Sequence, residues 1–102
     1  MPEVIIPFAG DCPHRSRALG WVRNRHEWPV TVAVGGEPWV KAEAIRPAIE
    51  ASSADVVVIA DADCWTDGLP DAVKAVELGA PWAKPHRLVH RLTAESSLAF
   101  MA

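Results

Sequence analysis

The ten residues Val56–Trp65, VVVIADADCW, pass from a purely apolar run to acidic residues within one position. Val56 to Ala60 is short, continuous and rich in β-branched residues, which is typical of a strand buried on both faces of a parallel sheet. Asp61 and Asp63 follow at once, separated by the small Ala62. Neighbouring carboxylates repel each other, and desolvation penalises their charged forms. The stretch therefore predicts a buried strand that ends at a ligand site.

Two earlier apolar runs predict two more buried strands. The first is Val4–Ile6, which Pro7 closes, and the second is Val30–Val34, which Gly35-Gly36 ends. Both are short and β-branched, as buried strands usually are.

The segments between and after the strands carry apolar residues at helical spacing. We expect one helix over Pro13–Arg25, with Asp11 or Cys12 as its cap, and a second over Val40–Ala51. Pro47 lies inside the second pattern and removes a backbone donor, which predicts a kink or a split there.

The chain after the aspartates predicts a third helix. Asp67-Gly68-Leu69-Pro70 is a helix-start pattern, and Gly79 is suited to the end of that helix. Pro81–Pro85 is a candidate for a fourth, short strand. From His86 onward the spacing of the apolar residues is compatible with a loop, a strand or a helix.

Strands that alternate with helices indicate an α/β fold, here a Rossmann-like three-layer α/β/α arrangement with a mostly parallel sheet. We expect residues 1–102 to form a single domain. Right-handed crossovers place all strand C-termini at one edge, where open α/β sheets bind ligands. Three segments should meet there: Pro7–Asp11, Gly35–Glu37 and Asp61–Asp63.

The paired aspartates suggest a metal site. In an extended backbone, residues two apart point the same way, so Asp61 and Asp63 would face one ligand. Carboxylate oxygens suit Mg²⁺ or Mn²⁺, and such ions often bridge a carboxylate to substrate phosphates. The alternative is that one aspartate caps a turn and the other is solvated.

Composition excludes several classes of function. The formal net charge of −3 argues against electrostatic binding of nucleic acid. No run is long and apolar enough to span a membrane, and the N-terminus lacks the basic region of a secretory signal. Cys12 and Cys64 have neither disulfide nor metal spacing, so we expect free thiols in a cytoplasmic protein.

Four segments, in register, give the chain a resemblance to a known family. The chain resembles the N-terminal, nucleotide-sugar-binding half of a family 2 glycosyltransferase, which has the GT-A fold. The segments are VIIPFAG (4–10), GGEPWVKAEAI (35–45), VVVIADAD (56–63) and PWAKPHRLVHRLT (81–93). The aspartates then match the family's DXD motif.

The resemblance implies roles for individual residues in binding a UDP- or GDP-linked sugar. Pro7, Phe8 and Ala9 would line the nucleoside pocket. Glu37 would meet the base or ribose, and Lys41 the base or diphosphate.

The resemblance also implies a metal cofactor, Mn²⁺ or Mg²⁺. Asp63 would bind the metal, Asp61 would contact the ribose side of the donor and share the metal site, and Ala62 would leave room for the ligand. The metal would neutralise the diphosphate leaving group as the glycosidic bond breaks.

Two departures from the family limit what the resemblance implies. Arg46 stands where many relatives have Asn, and no segment matches the family's catalytic base, so no catalytic residue is assigned. The expected activity is sugar transfer to an unknown acceptor. The alternative is a catalytically incomplete donor-binding or assembly module without an acceptor half, which needs a partner subunit or a second copy or is inactive.

Other interpretations remain open at this stage. A phosphatase-like hydrolase would use Asp61 as its nucleophile, although such enzymes favour Thr or Val where this chain has Trp65. His86 and His90 have the spacing of a helical zinc pair but lack further ligands nearby. Trp39 and Trp65 are placed to stack on a sugar or base, and packing is the alternative for each.

Overall fold

The three apolar runs form three strands of one parallel sheet: β1 (Glu3–Phe8), β2 (Val30–Val34) and β3 (Val57–Ile59). The computed structural model describes all 102 residues. Its contacts define two compact units, Met1–Trp65 and Thr66–Ala102, and all three strands lie in the first.

The strand order is β2-β1-β3, so β1 is central. Val4, Ile5 and Ile6 of β1 have no exposed surface, because strands on both sides and packed residues on both faces enclose them. This order is also that of the first three strands of one common doubly wound sheet, in which ligands bind between β1 and β3. The predicted α/β class with a parallel sheet is therefore confirmed.

Pro7 determines where β1 and β3 part. The carbonyl of Ile5 accepts a hydrogen bond from the Ala60 amide at 3.0 Å. The next bond of a regular parallel ladder would run from the amide of residue 7 to β3, and proline has no N–H to donate. On its other side β1 stays paired with β2 as far as Phe8 and Val34. Pairing of β1 with β3 consequently ends before its pairing with β2 does.

Two helices complete the first unit: α1 (Pro13–Arg25) and α2 (Lys41–Ala51). Cys12 is the N-cap residue of α1 and Pro13 lies in its first turn, as predicted. α2 packs against β1 and β2 and buries Ala44.

The predicted split at Pro47 is wrong, because α2 is one helix through that residue. Pro47 leaves the carbonyl of Glu43 without its helical partner. Both residues are exposed, so water can satisfy that carbonyl and the helix continues.

The second unit contains α3 (Leu69–Glu77) and α4 (Ala94–Met101). Gly79 follows α3 with φ +117°, the left-handed conformation that favours glycine after a helix. Thr93 caps α4 by accepting a hydrogen bond from the Ser96 amide at 3.1 Å. α4 thus lies in the segment whose period was ambiguous.

The candidate fourth strand at Pro81–Pro85 does not form. Its two prolines cannot donate to a ladder. The Pro85 carbonyl instead accepts the Thr66 hydroxyl at 3.2 Å, close to the start of α3. None of the four helices combines the length and the apolar character needed to cross a bilayer.

The central strand should dominate stability. Ile5→Ala removes a side chain with 0% exposure and should lower the free energy of unfolding by about 2–5 kcal/mol in urea titrations. Ile49→Ala on α2 is the matched control, because Ile49 is 42% exposed and should cost clearly less. Equal losses in the two variants would contradict the central position of β1.

Candidate functional site

The residues predicted to bind a ligand follow the carboxyl ends of the three strands. Phe8 ends β1 and Ala9 follows it, Glu37 lies between β2 and α2, and Asp61 comes two positions after β3. Because the strands are parallel, these positions belong to the same edge of the sheet. We call it the carboxyl edge.

An ion pair joins the elements that follow the two outer strands. Lys41 Nζ, at the start of α2, lies 2.9 Å from Asp61 Oδ1, beyond β3. The two side chains are 53% and 51% exposed. An exposed pair of this kind stabilises a fold by only ~0–1 kcal/mol. Its significance is therefore chemical, since it places a cation directly on the first aspartate.

The two aspartates converge on one atom, although by a different backbone than expected. Ala62 and Asp63 form a turn rather than an extended segment, so strand alternation does not align the carboxylates. Cys64 Sγ lies 3.6 Å from Asp63 Oδ1 and 4.0 Å from Asp61 Oδ2. The turn thus places one oxygen of each carboxylate within 4.0 Å of a thiol that can donate to either.

Cys64 is a hydrogen-bond donor at neutral pH. Burial raises the pKa of its thiol above the ordinary value of 9.0, the Asp63 and Asp61 carboxylates raise it further, and Lys41 opposes them. A thiol is a poor nucleophile and a poor metal ligand compared with a thiolate. The carboxylate oxygens of Asp61 and Asp63 are therefore the atoms that would bind a cation here.

Two of the predicted binding residues are buried. Ala62 is 2% exposed and Pro7 also lies in the interior. Their side chains shape the edge from beneath, whereas Phe8, Ala9 and Glu37 retain accessible surface.

Arg15 is a further cation at this edge, and sequence analysis gave it no binding role. Its guanidinium lies over the Phe8 ring, 5.8 Å from the centroid. Its place in the first turn of α1, the helix that follows β1, was the sequence signal available for this role.

Trp39 packs against the end of β2. Its ring lies so close to Gly35 that a Cβ at that position would clash with it. Gly35 is thus required by the tryptophan, and Trp39 keeps 38% of its surface exposed.

Trp65 packs against the end of α1. Its ring meets Trp21 edge-on at 6.2 Å, His26 lies at 5.0 Å, and the Arg25 guanidinium lies 5.4 Å from its centroid. These contacts anchor the residue that follows Asp61–Cys64, so the turn is held by an aromatic cluster.

His26 is half-buried in that cluster, and one of its ring nitrogens has no polar partner. Its Nε2 atom is inaccessible and makes no hydrogen bond. Burial lowers the pKa of His26 below its ordinary value of 6.5. The folded protein therefore favours the neutral ring.

No group of three or more His, Cys, Asp and Glu side chains is arranged to hold a metal by itself. His86 and His90 lie outside any helix, so the spacing of a helical pair does not apply to them. Any metal at the carboxyl edge would take further ligands from substrate or water, as Mg²⁺ commonly does.

A hollow of about 250 Å³ lies at the opposite edge of the sheet. It contains none of the residues predicted to bind a ligand, and its lining residues are Met1, Pro2, Glu3, Pro29, Ser53 and Ala54.

Comparison with known proteins gives no assignment: no family model, no curated protein and no solved structure matches this chain. The resemblance to family 2 glycosyltransferases stands on the quoted segments alone.

The half-buried His26 predicts acid sensitivity near neutral pH. Because its pKa is lower in the folded state, the unfolded state binds the proton first as pH falls through 6.5, and stability decreases from there. His26→Phe, which keeps a ring against Trp65 and cannot be protonated, should flatten the pH dependence of the free energy of unfolding between about pH 7 and 5.

His14→Phe is the control for that experiment, because His14 is exposed at the start of α1. It should leave the pH dependence as in the wild type. Stability that rises on acidification through this range would contradict the half-buried neutral ring. Glu3, whose pKa is lowered from 4.5 by its bonds to Ser52 and Thr31, affects stability only at lower pH.

Proposed function

We propose that this chain binds the diphosphate of a nucleotide sugar, together with a divalent metal ion, at the carboxyl edge of its sheet. The observation that carries the proposal is the turn after β3, where two carboxylates converge beside the Lys41 cation. The family 2 resemblance supplies the ligand class, and the fold proposed with it is a Rossmann-like, three-layer GT-A arrangement.

The early end of the pairing between β1 and β3 supports this location. Ligands of open α/β sheets bind beside the carboxyl ends of strands, where neighbouring strands part. Pro7 ends the ladder between β1 and β3 at that edge, and Asp61 follows directly on the β3 side.

The residues of the turn fit a hard divalent cation. Asp61 already accepts a positive charge at 2.9 Å, which shows that a cation is tolerated at this carboxylate. Asp63 offers a second oxygen beside the same Cys64 thiol, and both are exposed enough for water or phosphate to complete the coordination. When bound, Mn²⁺ or Mg²⁺ would neutralise charge on the diphosphate leaving group.

The remaining residues of the edge supply complementary contacts. Lys41 and Arg15 are the cations available to phosphate oxygens. Phe8 and Ala9 offer an accessible surface to the nucleoside, and exposed Glu37 can accept hydrogen bonds from a base or ribose. Each assignment depends on the resemblance as well as on position.

Transfer of the sugar to an acceptor is the activity we propose for the protein that contains this site. The catalytic base is not assigned, because no carboxylate of the chain corresponds to it by resemblance. The alternative within this proposal is that the chain alone does not transfer the sugar. It would then be a donor-binding or assembly module that works with a partner subunit or a second copy.

Metal-dependent nucleotide binding tests the proposal. We expect UDP or GDP to change tryptophan fluorescence with Mn²⁺ present and much less without it, because the carboxylates alone repel the diphosphate. Asp63→Asn should weaken binding in Mn²⁺ by about tenfold or more, equivalent to ~1.4 kcal/mol. Calorimetric titration measures both affinities.

Asp71→Asn is the matched control, because Asp71 is an exposed aspartate on α3 and should bind as the wild type does. If the folded protein binds neither UDP nor GDP, the proposal is refuted. Release of free sugar or phosphate from the donor, lost in Asp61→Asn, would indicate the phosphatase-like hydrolase instead.

A further inference from the structure

The Lys41–Asp61 ion pair is placed where it can be exchanged. Both side chains are about half exposed, and the ammonium contacts Asp61 Oδ1 at 2.9 Å. An exposed pair costs little to separate. A lysine ammonium on a flexible stem can turn to another anion without moving the backbone.

Lys41 holds Oδ1 of Asp61, and a metal ion bound to the same carboxylate would lie close to its ammonium. Two cations on one carboxylate repel each other, and the repulsion persists even at a surface where water screens it. Asp63 is the only other carboxylate in contact with the Cys64 thiol. The turn therefore has little further negative charge to offset a second cation. A metal that arrives alone therefore binds more favourably once Lys41 has left Asp61.

We propose that Lys41 is a displaceable cation that occupies Asp61 in the absence of the donor and moves to the diphosphate when metal takes its place. This inference rests on the proposed function and adds the order of binding. The diphosphate offers the displaced ammonium a new anionic partner. Metal and nucleotide diphosphate consequently bind with positive coupling, and free metal binds weakly.

Coupling of this kind is reciprocal: whatever factor the nucleotide adds to metal affinity, the metal adds to nucleotide affinity. Lys41 affects both affinities. It lowers the affinity for metal while it is paired with Asp61, and it raises the affinity for the diphosphate once it has left Asp61. Removing its charge should therefore move the two separate affinities in opposite directions. A residue that merely stabilised the loop would move both in the same direction.

The experiment compares wild type with Lys41→Met, which keeps the length of the side chain and removes its charge. With Mn²⁺ as the only ligand, we expect Lys41→Met to bind about tenfold more tightly than wild type. With GDP or UDP as the only ligand, we expect it to bind several-fold more weakly. Calorimetry and the electron paramagnetic resonance signal of free Mn²⁺ report these affinities without any assay of activity.

Two control variants separate charge from side-chain structure. Lys74→Met removes another lysine, on α3, and should leave Mn²⁺ affinity unchanged. Lys41→Arg keeps the positive charge and should keep Mn²⁺ binding weak. Circular dichroism establishes that each variant is folded, as expected for changes at exposed positions.

Equal or weaker Mn²⁺ binding by Lys41→Met overturns the proposal. If Mn²⁺ binding by Lys41→Met is equal or weaker but wild type still binds Mn²⁺ together with GDP or UDP, the exchange of Lys41 is refuted and the proposed function stands. If neither wild type nor Lys41→Met binds Mn²⁺ or a nucleotide diphosphate, the proposed function and the exchange both fall.

Discussion

The carboxyl edge of this sheet depends on a hydrogen bond that Pro7 cannot make. β1 is the central strand and would normally stay paired on both sides to its end. The ladder to β3 stops after the Ala60–Ile5 bond because residue 7 has no amide hydrogen, while the ladder to β2 continues to Phe8. The chain after Ala60 is thereby free to leave the sheet and turn, which places Asp61 and Asp63 beyond the ladder instead of within it.

Charge balance then determines what the carboxyl edge can do. The turn gathers the carboxylates around the Cys64 thiol, whose raised pKa keeps it a proton donor, and Lys41 supplies the one cation in direct contact. The arrangement tolerates positive charge and is exposed to solvent. A metal-bound diphosphate satisfies both conditions, because it brings a cation for the aspartates and anionic oxygens for the lysine. The same balance explains why ligand binding and exchange of the ion pair belong together.

Sequence patterns predicted the elements better than the contacts between them. The apolar runs ending at Ile6, Val34 and Ala60 were sufficient for the three parallel strands, since continuous β-branched runs have few other uses. The split predicted at Pro47 was wrong because that turn of the helix is exposed to solvent, which lets the helix continue. A sequence pattern does not contain that exposure. Arg15 and His26 were missed for a similar reason: a cation over Phe8 and a half-buried ring against Trp65 depend on how α1 meets its neighbours. The metal is a prediction from the paired aspartates and the resemblance, and the donor is a prediction from the resemblance.

The central claim is that the ligand binds at the carboxyl edge. Backbone amide NMR spectra of the ¹⁵N-labelled protein, recorded with GDP or UDP and diamagnetic Mg²⁺, test it most directly because they locate binding by residue. The account predicts shifts concentrated at Phe8–Gly10, Gly36–Glu37, Lys41 and Ala60–Cys64, with little change at the opposite edge around Ser53 and Ala54. Shifts confined to the hollow of that opposite edge, or no shifts with either nucleotide, would contradict it.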